Sequence, residues 1–318
     1  MKLNGIYYIS ALLLSMLFTV GSAAEQLSFS KLKRGDNYLF KYRWLDINQE
    51  KQSIEFLLPR KNLFSRFRTF KNYKPKMANE FVKLSLKKYW RDNPIDNIQA
   101  TFSEQSGGLH VEITGDSNSE VNKAYQQIAK LEQQFTQEYL DKNFYHLFTM
   151  NNKSGVKPNH VKIANESVDD LQSLKPVILE KVTVKNIRKV TNFILGFVQS
   201  IPYETLQSRA TSSGAGFNTP LRLLWENKGD CDSKVTLTVA MLRALMPRIK
   251  IALIFIDNHA IFGIDVPAQG NETTVLFEGT TYLLADPTGP RLMNVGQLSS
   301  DTKNTILSGH YSIELLKE

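Results

Sequence analysis

The chain has 318 residues, 42 % of them hydrophobic and 22 % charged, a balance that supports a packed core and excludes a disordered or collagen-like polymer. Its formal charge of +8 is unevenly placed: Lys31 to Arg91 carries 17 Lys/Arg against 5 Asp/Glu, a local +12 that leaves −4 for the rest. A single cysteine, Cys231, excludes a framework of intrachain disulfides.

The first 24 residues, MKLNGIYYISALLLSMLFTVGSAA, run from a basic start through an apolar stretch to small residues. That order is expected of a secretory signal peptide cleaved near Ala23 or Ala24, giving a periplasmic or secreted protein. The apolar run is shorter than the roughly 20 residues of a membrane span. With no disulfides to exploit an oxidising compartment, a Gram-negative periplasm is the expected address.

Residues 25–150 are expected to form a basic α+β domain of ββαββα plan. Residues 37–44 and 52–59 alternate as two strands, and 76–90 has helical spacing. The segments 98–104 and 109–115 flank Ser106-Gly107-Gly108 as a hairpin, and 119–148 reads as one long amphipathic helix. The run NLFSRFRTFKNYKPK interleaves aromatics with five basic residues. Outside the cytoplasm its anionic partners would be lipid headgroups, wall polymers or an acidic polypeptide, so residues 31–91 are a candidate anionic-surface contact and no nucleic acid is expected. The plainer expectation, which we prefer, is aromatics in a small core and lysines on a solvated face.

Residues 151–183 open with the polar stretch NNKSGVKPNH and read as a linker and lead-in. A third unit is expected over 184–318. It starts with a helix over 184–201, followed by a Ser/Thr/Gly-rich loop over 202–218 of a length more often functional than idle. Thr219-Pro220 signals a short helix, and a further helix begins at Cys231. Four short strands are expected over 249–257, 259–266, 273–279 and 280–286.

Cys231 is thus expected at a helix head, where unpaired N–H groups and the helix dipole favour a thiolate. Gly229 is expected to turn the chain and leave room for a substrate backbone. His259 opens a strand and Asp286 closes one, so antiparallel pairing can bring them to one sheet edge. No partner at metal-ligand spacing accompanies His110, His146, His160 or His310, so no zinc site is expected.

The motifs GDCDSKVTLTVAMLRAL, NHAIFGI and YLLADPTGP resemble those of the transglutaminase-like superfamily of cysteine enzymes, over about residues 185–290. The resemblance implies a papain-like α+β fold with Cys at a helix head packed on an antiparallel sheet. It assigns Cys231 as nucleophile, His259 as general base and acid, and Asp286 as the residue that orients His259. Where the family often has Trp two residues after the histidine, this chain has Ile261. Tyr203, Gln199 and Trp225 are candidates for holding the oxyanion or the substrate, beside the N–H of Cys231. Calcium-dependent bacterial members carry acidic residues around the cysteine, which raises a calcium site at Asp230 and Asp232; otherwise no cofactor is expected. The implied activity is peptide-bond hydrolysis of a polypeptide, such as a cell-envelope or surface protein. The alternatives are transamidation with an amine acceptor, or a non-catalytic binding and assembly module.

Overall fold

The structure is a computed structural model that describes residues 23–105, 107–150, 153–182, 186–207 and 216–317; the expected leader therefore lies almost wholly outside the described residues. Among the described residues no helix is long and apolar enough to cross a membrane. The chain is a mixed α+β protein.

Three antiparallel strands come first: β1 (Glu25–Arg34), β2 (Asn37–Leu45) and β3 (Lys51–Pro59). Alternation sets their faces, with Phe40, Tyr42 and Trp44 of β2 and Ile54, Phe56 and Leu58 of β3 all buried on one side. The Asp46 carboxylate accepts from the N–H groups of Asn48 and Glu50 and closes the β2–β3 turn. Next come α1 (Arg60–Ser65), α2 (Pro75–Asp92), the hairpin β4 (Ile98–Gln105) and β5 (Gly108–Gly115), and α3 (Asn118–Lys142).

These segments do not form one N-terminal domain. Val82, Leu86, Phe102, Ile113 and Ile128 make a separate small core from α2, α3 and the β4–β5 hairpin. The aromatic face of β2 and β3 instead joins the main core with α6 (Ile187–Ser200) and α8 (Cys231–Leu245). Phe197 of α6 lies edge-on to Tyr42 at 4.9 Å, and the Tyr42 hydroxyl donates to Leu224 O at 2.9 Å. The anticipated unit over 25–150 is therefore divided: alternation shows which face of a sheet is apolar, not which helix covers it.

The expected linker is structured as well. The helix expected over 119–148 ends at Lys142, and the following residues form β6 (Tyr145–Met150) instead; the linker itself supplies β7 (Lys153–Pro158), which pairs with β6 as a hairpin, then α4 (His160–Ser167) and α5 (Leu174–Lys181). Backbone pairing supplies the hairpin with its hydrogen bonds whatever its polarity. Asn159 caps α4 by accepting from Lys162 N, and His160, Ile163 and Ala164 are buried beneath it.

After α7 (Pro220–Glu226) and α8 come β8 (Ile251–Ile256), β9 (His259–Ile264), β10 (Thr274–Phe277), β11 (Thr280–Ala285), α9 (Ser300–Leu307) and β12 (Ser312–Leu315). The five strands make one antiparallel sheet in the order β10-β11-β9-β8-β12. Leu253, Phe255, Ala260 and Phe262 share the main core with α8, whereas Ile254, Ile256, Ile261 and Leu284 cluster with Ile306 of α9. The sheet is covered on both faces, so β8 reads as an unbroken apolar run.

Candidate active site

The head of α8 is built by local chemistry. Asn227 ends α7 in the left-handed conformation, with φ 54°, and its N–H returns to Leu223 O. Gly229 then bridges to the segment after α6: its N–H donates to Pro202 O and its carbonyl accepts from Glu204 N. A Cβ on Gly229 would lie 2.7 Å from Leu223 Cδ1. The missing side chain therefore makes room for a core leucine, not for a substrate backbone as the sequence suggested. Asp230 caps the helix, its Oδ1 accepting from Ser233 N at 3.0 Å and from the Ser233 hydroxyl. Cys231 is the first helical residue.

His259 follows the two-residue turn Asp257-Asn258, in which Asn258 has φ 58°. In the β9–β11 register Ala285 pairs with Phe262, so one step further places Asp286 opposite Ile261, two residues from His259. The His259 Nε2 lies 2.8 Å from Asp286 Oδ2, leaving Nδ1 as the other ring nitrogen. Asp286 is itself fixed: its Oδ1 accepts from Thr288 N at 2.9 Å and its carbonyl accepts from Gln199 Nε2 at 2.7 Å. The Cys231 Sγ sits 4.0 Å from Asn258 O, against the turn that carries His259. Cys231 and His259 both line one cavity of about 440 Å³, walled by Phe148, Met150 and Lys157 of the β6–β7 hairpin.

The other sequence candidates separate. Tyr203 lines this cavity and is 50 % exposed. Burial raises its phenol pKa, with the charges of Cys231, Asp230 and Asp232 adding to the effect. Gln199 is buried, and its amide is committed to Asp286 O, Met293 O and Met293 N, so it braces Asp286 and has no donor left for an oxyanion. Trp225 lies away from the cavity, edge-on to Tyr38 and Phe64 with Lys31 Nζ 3.8 Å above its ring. Ile261 is buried in the cluster beneath α9 and does not line the cavity. The two carboxylates raised for calcium do not converge: Asp230 is held by Ser233, while Asp232 lies between Cys231 and His160. Among the described residues no group of three His, Cys, Asp or Glu could hold a metal ion.

The electrostatics correct one expectation. The Cys231 thiol is not acidified; burial first, then the charges of Asp232 and Asp230, push its pKa up, against the N–H groups of Ala260 and Asp232. The Cys231 S–H points at Asp232 Oδ1, 3.6 Å away. Burial works to lower the His259 pKa, but the hydrogen bond and charge of Asp286, with Asp232, outweigh it and raise it. Asp286 moves the other way: burial works upward, yet the His259 and Thr288 contacts hold its carboxyl below the usual range.

Two buried groups at the site escaped the sequence reading. Lys234, one turn after Cys231, is fully buried, its Nζ donating to Ile201 O and Thr288 O at 2.5 Å each. Burial brings its pKa down to about 7, resisted by Asp286 and Asp230. It ties α8 to both the α6 end and the loop that holds Asp286. A lysine three residues from Cys231 in an otherwise apolar-periodic helix was the available signal. His160, assigned to a linker, is packed between Phe217 and Phe255, with Nδ1 3.1 Å from Thr236 Oγ1 and Nε2 3.8 Å from Asp232 Oδ2. Burial, with Lys157 and His146, holds it well below the ordinary histidine pKa. Nothing in its local sequence marks it.

No family model, curated protein or solved structure matches the chain.

Proposed function

We propose that the chain is a transglutaminase-like thiol enzyme that hydrolyses amide bonds in polypeptides through an acyl-enzyme on Cys231. The observation that carries this reading is the His259–Asp286 pair at 2.8 Å, set at a sheet end on the same cavity as a helix-head cysteine. A nucleophile, a base and a group that orients the base are what acyl transfer requires.

The protonation states shape the mechanism. With the thiol held neutral, His259 in its neutral form accepts the Cys231 proton as Sγ attacks the carbonyl carbon. Asp286 stabilises the imidazolium that forms and keeps the ring in place. The imidazolium then donates that proton to the leaving amine nitrogen, and the thioester remains. Water, deprotonated by His259, attacks the thioester; the acid leaves and the thiol is regenerated. The N–H of Cys231 and the Tyr203 hydroxyl are the donors on the cavity wall for the oxyanion. The open cavity makes water the default acceptor.

The test is the rate of Cys231 alkylation by iodoacetamide in the wild-type chain and in His259→Ala, followed by mass spectrometry and paired with peptide-library cleavage. The expected outcome is cleavage by wild type alone and alkylation slowed at least about tenfold by the substitution, within the range general-base assistance supplies. Equal alkylation rates with no cleavage would overturn the reading and leave a binding module.

A further inference from the structure

A second large cavity, formed by described residues, lies away from Cys231. It has a volume of about 950 Å³, at the upper end of ordinary ligand cavities of roughly 300–1,000 Å³, and sits between the α1–α2 connection, the end of α3 and α7. Arg68, Lys71, Lys74 and Arg222 line it, with no Asp or Glu among the lining residues. Arg222 is paired with Glu226 at 2.7 Å. Arg68, Lys71 and Lys74 are exposed and make no ion pair among the described residues.

Two further features favour negative charge there. The 18-residue α2 begins at the cavity rim, with Lys74 as its N-cap, and has no acidic residue in its first turn, so the positive end of its dipole is uncompensated. The cavity wall is braced by Tyr145: Phe70 stacks on it at 5.3 Å, and its hydroxyl donates to Lys71 O at 2.6 Å. The basic-aromatic run is thus partly core, as its plainer reading held, yet three of its five cations, Arg68, Lys71 and Lys74, line a concavity that its aromatics shape, while Arg66 pairs with Asp170. A flat bilayer cannot enter such a recess, whereas an extended chain with acidic side chains can.

The position links it to the thiol. Phe70 of its wall packs edge-on to Phe217 at 5.6 Å, and Gly216 beside Phe217 lines the Cys231 cavity. Arg222 belongs to α7, the helix that leads directly into Gly229-Asp230-Cys231.

We propose that this cavity is an exosite that binds an acidic stretch of the polypeptide substrate while another part of that chain lies at Cys231. The proposal rests on the polypeptide-cleaving reading above. It is tested by fluorescence anisotropy of a labelled oligoglutamate peptide against the full chain at low salt and again at physiological ionic strength, where the Debye length is about 8 Å. The expected result is salt-sensitive binding, weakened about tenfold or more when Lys71→Glu and Lys74→Glu are combined, as expected when attractive charges become repulsive. Lys87→Glu with Lys88→Glu, the same charge change further along α2, leaves binding within about twofold because those side chains lie beyond the cavity and are screened. Equal weakening by both pairs, or a sulfated glycan binding through Lys71 and Lys74 while oligoglutamate does not, overturns the proposal. Binding needs no turnover, so a failed exosite leaves Cys231 alkylation unchanged, and a failed catalytic reading leaves oligoglutamate binding intact.

Discussion

Replacing Asp232 with Asn should make Cys231 more reactive, although it removes a charged residue from the site. The Asp232 Oδ1 lies 3.6 Å from Cys231 Sγ and accepts its S–H, so it opposes thiolate formation twice. Two unit charges at that distance repel by about 1 kcal/mol at the dielectric of water and about 4–5 kcal/mol at an effective dielectric near 20. At 1.36 kcal/mol per pKa unit this is about one to three units. The Asp232 side chain is 36 % exposed, and solvent screening favours the lower part of that range, about one to two units. The thiolate fraction then rises about 10- to 100-fold, while intrinsic nucleophilicity falls with a Brønsted coefficient of about 0.4–0.5, leaving a net gain of about 3- to 10-fold. The assay is the second-order rate of iodoacetamide alkylation near neutral pH, with Asp141→Asn as a distant carboxylate control. An unchanged or slower rate in Asp232→Asn would refute the electrostatic account of the thiol.

Three further outcomes follow from buried groups. Asp230 is pushed up to about 7, by burial and then by Asp232, so its contribution to stability is present at acid pH and is lost as pH rises through about 7. Asp230→Asn keeps a good cap, so its Tm relative to wild type should rise between about pH 5 and about pH 8; a constant difference counts against this. Lys234→Met leaves Ile201 O and Thr288 O unpaired in the interior, at roughly 1–3 kcal/mol each, and should lower Tm. Because burial depresses the folded pKa of Lys234 to about 7, the wild type takes up a proton less readily than the unfolded chain between that value and the ordinary lysine pKa, so the gap should narrow as pH falls from about 10 to about 7 and stay constant below. Gly289 has φ +67°, and a Cβ there would stand 2.5 Å from Gln199 O. Gly289→Ala should cost at least the roughly 1–2 kcal/mol of a left-handed non-glycine residue in urea denaturation, and should slow Cys231 alkylation through the Gln199–Asp286 contact.

Much of the fold was readable from periodicity, and the exceptions share a cause. The helices at Pro75, Pro220 and Cys231 and the strands from Ile251 to Ala285 fell close to their expected spans, because each carries a 3.6- or 2-residue apolar repeat or a sharp cap, whereas the helix at Asn118 started as expected but ended six residues early. The strand Glu25–Arg34 is exposed along most of its length at a sheet edge, so it has no alternation to read. Strand β6 carries Tyr145, Leu147 and Phe148, which also continue the helical spacing of α3, so it reads as the end of that helix; its partner β7 is polar and held by backbone pairing, which composition does not report. That hairpin supplies a wall of the Cys231 cavity, with Phe148 and Met150 hidden at the end of an expected N-terminal domain and Lys157 inside an apparent linker. That His259 and Asp286 meet and that Cys231 heads a helix on the same cavity was legible, because strand ends and a capping Asp encode those placements. The roles of Gln199, Lys234 and His160 were not, since each depends on which buried carbonyl or carboxylate its side chain meets after the chain has folded.

The lone thiol shows why position on a helix does not fix reactivity. A helix head favours an anion through free N–H groups and the dipole, but that potential is shared among all the acceptors present. Here Asp230 takes the Ser233 N–H, and Asp232 adds a second carboxylate in the first turn. Both compete with the thiolate for the same positive end, and burial removes the water that would otherwise stabilise it. The outcome is a thiol held neutral at rest, so the proposed acyl transfer would need His259 to accept its proton during attack. Oxidation of cysteine follows thiolate character and exposure, so the same carboxylates that slow the resting thiol also protect it. For a chain with one cysteine and an expected address outside the cytoplasm, that protection connects the two acidic neighbours of Cys231 to the survival of a usable nucleophile.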